Sequence, residues 1–241
     1  MQYFANSDRG RVRPYNQDRY LLLPLGERGL LAAVFDGMGG HADGDLAAET
    51  AVAAFRDIFD AGLPASLEAG RELLRRAARE ADRRIVALAG EDPLRHGMGT
   101  TVTALLFFPE AVLSMNVGDS RAYGYFAGEM LRLTRDDSYV QALVDAGMIP
   151  PEEAPYHPRR NVLTRSLGAL GTQEIEVAYR PVAHGETYLL CSDGLYGMTG
   201  EAVMQRILCQ QLSLSATVGY LLAAANERGG EDNITALLVR I

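Results

Sequence analysis

Leu30-Leu31-Ala32-Ala33-Val34-Phe35-Asp36-Gly37-Met38-Gly39-Gly40 passes from an unbroken apolar run straight into an acid and a cluster of glycines. Such a run, too short for a long helix and stopped by glycine, predicts a buried strand feeding a Gly-rich turn. The pattern of apolar stretch, aspartate and small residue recurs in Tyr188–Gly194 (YLLCSDG) and in Asn116–Ser120 (NVGDS). A fourth aspartate, Asp232, stands just before the last apolar run. Any one of these acids alone reads better as a turn former capping the next backbone N–H. Their repetition in one setting favours a shared task, and a glycine after the acid leaves the backbone carbonyl open to approach. Carboxylates gathered at strand ends repel one another, and desolvation raises their pKa further. Such a group needs counter-charge. The sequence nearby offers few arginines, so a divalent cation is the natural solution. Oxygen ligands without clustered His or Cys select Mg²⁺ or Mn²⁺ over Zn²⁺.

On either side of this stretch the chain sorts into blocks. Asp45–Phe59 is Ala-rich and predicts a helix, broken at Gly62-Leu63-Pro64. Ser66–Leu88 predicts a second, with Leu67, Leu74, Ala77, Ala81, Ile85 and Leu88 on one face and Arg75, Arg76, Arg79 and Arg83 off it. That arginine face reads as solvated or, alternatively, as a dock for an acidic partner. The period then shortens: Thr101–Phe108, Val112–Val117, Arg121–Phe126 and Met130–Leu133 read as an antiparallel meander. Asp136–Arg160 is polar and Pro-rich around one short helical stretch, Val140–Ala146, and reads as an excursion over the sheet. Strands near Ile175–Tyr179 and Thr187–Cys191, helices near Ala202–Gln210 and Ser215–Glu227, and a strand at Asn233–Val239 complete the chain. This grouping predicts an α+β fold of two mainly antiparallel sheets, face to face and covered by helices, in one domain over residues 1–241.

Composition narrows the chemistry. All 23 basic residues among the 241 are Arg, against 31 acids, a formal net charge of −8. With no Lys, P-loop NTPases, protein kinases and Schiff-base enzymes are excluded, since each needs the ε-amine. The acidic balance argues against nucleic acid as a partner. Cys191 and Cys209 are too few for a disulfide framework and suit a reducing compartment. The N-terminal segment lacks an apolar signal core, and no run approaches the ~20 apolar residues that span a bilayer. A soluble cytoplasmic protein with no membrane partner is expected.

In order, the motifs are Arg13-Pro-Tyr-Asn16-Gln17-Asp18, Asp36-Gly37-Met-Gly-Gly-His41-Ala-Asp-Gly44, Gly99-Thr100-Thr101 and Val117-Gly118-Asp119-Ser120-Arg121. Asn161-Val-Leu-Thr164-Arg165-Ser-Leu-Gly168, Cys191-Ser-Asp193-Gly194-Leu195 and Gly229-Gly-Glu-Asp232-Asn233-Ile-Thr235 follow. Over nearly its whole length the chain resembles the bacterial PPM (PP2C-type) metal-dependent Ser/Thr protein phosphatases. The resemblance implies an α-β-β-α sandwich with a mobile flap near residues 136–165. It implies two tightly bound Mn²⁺ or Mg²⁺ ions: Asp36 on both, Asp193 and Asp232 on the first, the Gly37 carbonyl on the second, and Asp18 acting mainly through water. Asp119 with Asp193 would hold a third, weaker ion. Arg13 would clamp the substrate phosphate, and His41 would protonate the leaving alkoxide.

These residue types suit the reaction. A guanidinium fork bonds two phosphate oxygens at once. A histidine with a pKa of about 6.5 donates a proton at neutral pH. Taken alone, His41 in a Gly-rich turn reads as a solvated loop residue; its place five positions after Asp36 gives it a role. His96, His157 and His184 receive none. Many relatives carry Asp-His-Ser where this chain has Asp136-Asp137-Ser138, and Ala42-Asp43-Gly44-Asp45 carries acids where Gly and Glu are common. Both departures bear on the flap and substrate preference rather than on the expected ligands. Neither cysteine is followed by the Cys-x5-Arg spacing of tyrosine phosphatases, and Asp43-Gly-Asp45 follows no predicted strand, as a haloacid-dehalogenase motif would. The resemblance implies phosphoproteins as substrates, an opposing Ser/Thr kinase and a monomer. The alternative reading is a catalytically silent binding module of the same fold.

Overall fold

The central apolar run becomes strand β3 (Gly29–Met38), and its period of two resolves why no polar residue interrupts it. Leu30, Ala32 and Val34 face one buried layer, while Leu31, Ala33 and Phe35 face another. A strand covered on both sides has no solvent face to mark in sequence. The computed structural model describes residues 1–39, 43–92, 95, 97–168 and 174–241.

One sheet runs β2 (Asp18–Leu25), β3, β5 (Val102–Phe107), β6 (Ala111–Val117) and β9 (Val177–Pro181), with β4 (Gly99–Thr100) paired to β3. The other runs β1 (Gln2–Asp8), β11 (Ile234–Arg240), β10 (Thr187–Cys191), β7 (Arg121–Phe126) and β8 (Glu129–Arg132). All the strand pairings described are antiparallel. Between the sheets lie Leu30, Val34, Leu105, Phe107, Leu190 and Leu237, with Phe107 and Tyr188 edge to face at 5.1 Å. Helices α1 (Asp43–Phe59) and α2 (Leu67–Glu91) cover the outer face of the first sheet. The α4 (Asp193–Thr199), α5 (Glu201–Leu208) and α6 (Leu214–Glu227) helices cover the second. This is the expected sandwich, and helix α3 (Tyr139–Asp145) lies in the expected excursion.

The structure corrects several expectations. The meander is split: β5 and β6 belong to one sheet and β7 and β8 to the other, so Gly118-Asp119-Ser120 is a crossover between sheets rather than a hairpin turn. Neither β1 nor β2 was expected. The first is an edge strand, largely exposed, and the second alternates only partly, so neither carries a strong apolar period. Asp36 lies inside β3, not at its end, and Asp193 opens a helix that was not predicted. The predicted helix over Ser66–Leu88 is α2, with the Ser66 side chain accepting from Ala69 N–H at 3.2 Å. Its arginine face is laced by ion pairs, Arg79 with Glu72 at 2.9 Å and Arg83 with Glu80 at 2.7 Å, as a solvated face would be. Among the described residues no helix is long and apolar enough to cross a membrane.

Candidate metal centre

Five aspartates meet at one end of the two sheets. Asp18 opens β2 and lies directly opposite Asp36 of β3 in the strand register. Asp119 sits in the crossover from β6 to β7, Asp193 begins α4 just after β10, and Asp232 precedes β11. The Asp36 backbone is fixed from both sides. Its N–H donates to Thr101 Oγ1 at 3.0 Å, and its carbonyl accepts from Thr101 N–H and Thr100 Oγ1, each at 2.9 Å.

Like charges opposite one another in a sheet are destabilising, and here Asp18 is buried and Asp36 partly so. Burial, then Asp18, Asp193, Asp119 and Asp232 in turn, push the Asp36 carboxyl well above the ordinary range. Asp119 is raised by burial, then by Asp193 and Asp136, against a smaller opposing effect of Arg121. Burial and then Asp232 bring Asp193 to about 6, with Arg13 among the groups that oppose the rise. Asp18 is pushed up to about 7 by burial, against hydrogen bonds from Ser192 and Thr235. Arg13 and Arg121 thus supply some positive charge that the nearby sequence did not promise. It is not enough to hold the acids in the ordinary range.

Asp18 gives the sharpest detail. Its Oδ2 accepts from Ser192 Oγ at 2.6 Å and Thr235 Oγ1 at 2.7 Å, while its Oδ1 is buried with no hydrogen-bond partner. A buried carboxylate oxygen left bare costs free energy unless a cation or an ordered water meets it. Among the described residues no three His, Cys, Asp or Glu side chains close around one point as a complete ligand set. The donors are all carboxylate oxygens, a set that suits a hard ion retaining several waters, as Mg²⁺ does. The residues present therefore fit hard divalent ions.

Gly37 packs where no side chain could stand: a Cβ there would lie 2.2 Å from the Gly44 carbonyl oxygen and 2.6 Å from that of Gln17. Arg13 Nη2 donates to Asp232 Oδ2 at 2.6 Å, so the residue expected on substrate phosphate is paired with an expected metal ligand. His41 lies outside the described residues. The expected flap is anchored at both ends. Asp137 N–H donates to the Gly118 carbonyl and Thr164 N–H to the Asp137 carbonyl, each at 2.8 Å, and Leu167 exchanges two backbone bonds with Thr100.

Sequence reasoning assigned no role to Ser192, Thr235 or Asn233, yet they assemble the site. Asn233 Oδ1 accepts from Gln17 N–H at 2.8 Å, and its Nδ2 donates to the carbonyls of Arg9 and Tyr15. It thereby pins the Arg13 loop to the start of β11. Their signal was adjacency, since each lies next to an acid or two to three residues from one.

Comparison with known proteins is consistent with this geometry. The family model described as protein phosphatase 2C matches residues 11–228. The serine/threonine phosphatase stp of Listeria innocua is 39% identical over 234 residues, covering 97% of this chain and 93% of that protein. PstP of Mycobacterium tuberculosis, a serine/threonine protein phosphatase, is 38% identical over the whole of this chain, which spans 45% of its length. Among solved structures, the S. agalactiae serine/threonine phosphatase superposes with a TM-score of 0.92 at 32% identity, covering 100% of this chain and 99% of that one. The PstP catalytic domain in complex with two manganese ions gives 0.86 at 36% identity, covering 98% and 96%.

Proposed function

The chain belongs to the PP2C family of metal-dependent serine/threonine protein phosphatases, and from that membership we propose how the acid cluster divides the work. Asp36 would serve two Mn²⁺ or Mg²⁺ ions, Asp193 and Asp232 would hold the first, and the Gly37 carbonyl the second. Asp18 acts through water. Asp119 with Asp193 holds a weaker third ion. Residues 1–241 act as one catalytic domain, a cytoplasmic monomer that opposes a Ser/Thr kinase on its phosphoprotein substrates.

Phosphate monoester hydrolysis is so slow unaided that catalysis approaches ~10²¹-fold. Divalent ions held there would supply an acidified water for in-line attack and would neutralise phosphoryl charge. The protein's own groups do the rest. Arg13 leaves Asp232 for the incoming phosphate, where its fork meets two oxygens. His41 donates a proton to the departing serine or threonine oxygen. Ser192 and Thr235 hold Asp18 Oδ2 and leave its Oδ1 without a protein partner.

The observation that carries this reading is the Asp18–Asp36 pair, with the buried, unpartnered Oδ1 of Asp18, set among three more aspartates. The test is hydrolysis of a phosphothreonine peptide with Mn²⁺, with and without chelator. Chelator, Asp36→Ala and Asp193→Ala are each expected to abolish turnover. Turnover without metal, or none in the wild type with metal bound, contradicts the reading.

A further inference from the structure

We infer that Tyr196, with the Arg121 guanidinium stacked on its ring, is a positioning residue that sets Asp119 against Asp193 and thereby tunes the weaker third metal position. The inference rests on assigning that ion to Asp119 and Asp193.

Tyr196 lies one turn into α4, the helix that Asp193 opens. Its hydroxyl donates to the Asp119 backbone carbonyl at 3.0 Å. One short helix therefore carries one acid and grips the turn that carries the other. Arg121 Cζ stands 3.6 Å from the centroid of the Tyr196 ring, a cation–π contact. Arg121 is itself held by Asp136, with Nε to Oδ1 at 3.1 Å and Nη2 to Oδ2 at 2.7 Å, and Arg132 bonds the same carboxylate.

From the other side the same turn is held at Gly118, whose backbone is left-handed (φ 107°). Gly118 N–H donates to Asp137 Oδ2 at 3.1 Å, and its carbonyl accepts from Asn116 Nδ2 at 2.8 Å. The Asn116 bond fixes the turn to β6, and the Asp137 bond fixes it to the flap. Of the contacts described, the Tyr196 hydroxyl is the one that ties the Asp119 peptide to α4. The pairing of β7 with β10, Arg121 opposite Cys191, brings the two turns side by side, and the Tyr196 bond holds the Asp119 peptide within that frame.

The test is Tyr196→Phe, which keeps the ring and its stack and removes one hydrogen bond. Calorimetric titration with Mn²⁺ should show the two tight ions bound as in the wild type and the third bound about tenfold more weakly, the scale of losses when an outer partner of a metal ligand is removed. The melting temperature of the metal-free protein reports whether the fold is intact. An unchanged third affinity overturns the inference, as does equal weakening of all three sites. A wild-type isotherm with only two ions overturns the three-ion assignment itself, and with it the inference.

Discussion

Gly37 shows how much the site depends on an absent side chain. Its backbone lies against the Gly44 carbonyl at the start of α1 and the Gln17 carbonyl ahead of β2. Gly37→Ala adds one methyl where β3, α1 and the β2 entry converge, and overpacking of this kind costs about 1–3 kcal/mol. The variant should melt lower than the wild type and also bind Mn²⁺ more weakly, although no carboxylate is lost; both are measured by melting with and without Mn²⁺. Arg13 makes the opposite case. It is half exposed and leans on Asp232, so Arg13→Ala frees a carboxylate rather than removing one. The KM for a phosphopeptide should rise while Mn²⁺ occupancy is retained, and loss of metal in that variant would refute a phosphate-binding role.

At the scale of elements, the acids sit on β2, β3, the crossover, α4 and the entry to β11, so bringing them together charges several element ends against one another. Asp193 at about 6 and Asp18 at about 7 lie above the ordinary value of 3.8. The metal-free folded protein therefore holds protons that the unfolded chain releases near pH 4. Its stability is fully present below that pH and declines as pH rises through about 7. Thermal melting in chelator should show this decline, and saturating Mn²⁺ should remove it, so the metal-induced gain in Tm is largest at neutral pH. A metal-free Tm that instead rises from pH 4 to 7 would contradict the description of the cluster.

The same elements explain what was legible. Strand β3 could be read because both of its faces are buried, leaving six apolar residues in a row. The α2 helix could be read because Leu74, Ala77, Ala81 and Ile85 keep a helical period. Strand β2 could not, since Asp18, Arg19 and Pro24 interrupt its pattern. Nor could α4, a seven-residue helix with two glycines whose fixed point is packing against α6 and β11. The sheet change at Gly118 was hidden because a hairpin and a crossover share the same turn residues; only the pairing of β6 with β9 and of β7 with β10 separates them. The acids were legible by motif. The pairing of Arg13 with Asp232 was not, being a contact between the two ends of the chain.

Over the whole molecule, the absence of lysine means that any cationic side chain meeting substrate phosphate at neutral pH is an arginine or a histidine. The net charge of −8 includes five aspartates gathered at one end of the two sheets, whose charges act on one another. The central claim is that these acids exist to hold divalent ions around Asp36, and crystals soaked in Mn²⁺ test it most directly through anomalous scattering. Two strong peaks are predicted, both within ligand distance of Asp36, one also near Asp193 and Asp232 and the other near the Gly37 carbonyl, with a weaker third beside Asp119. Strong peaks elsewhere, or none at Asp36, would contradict the account.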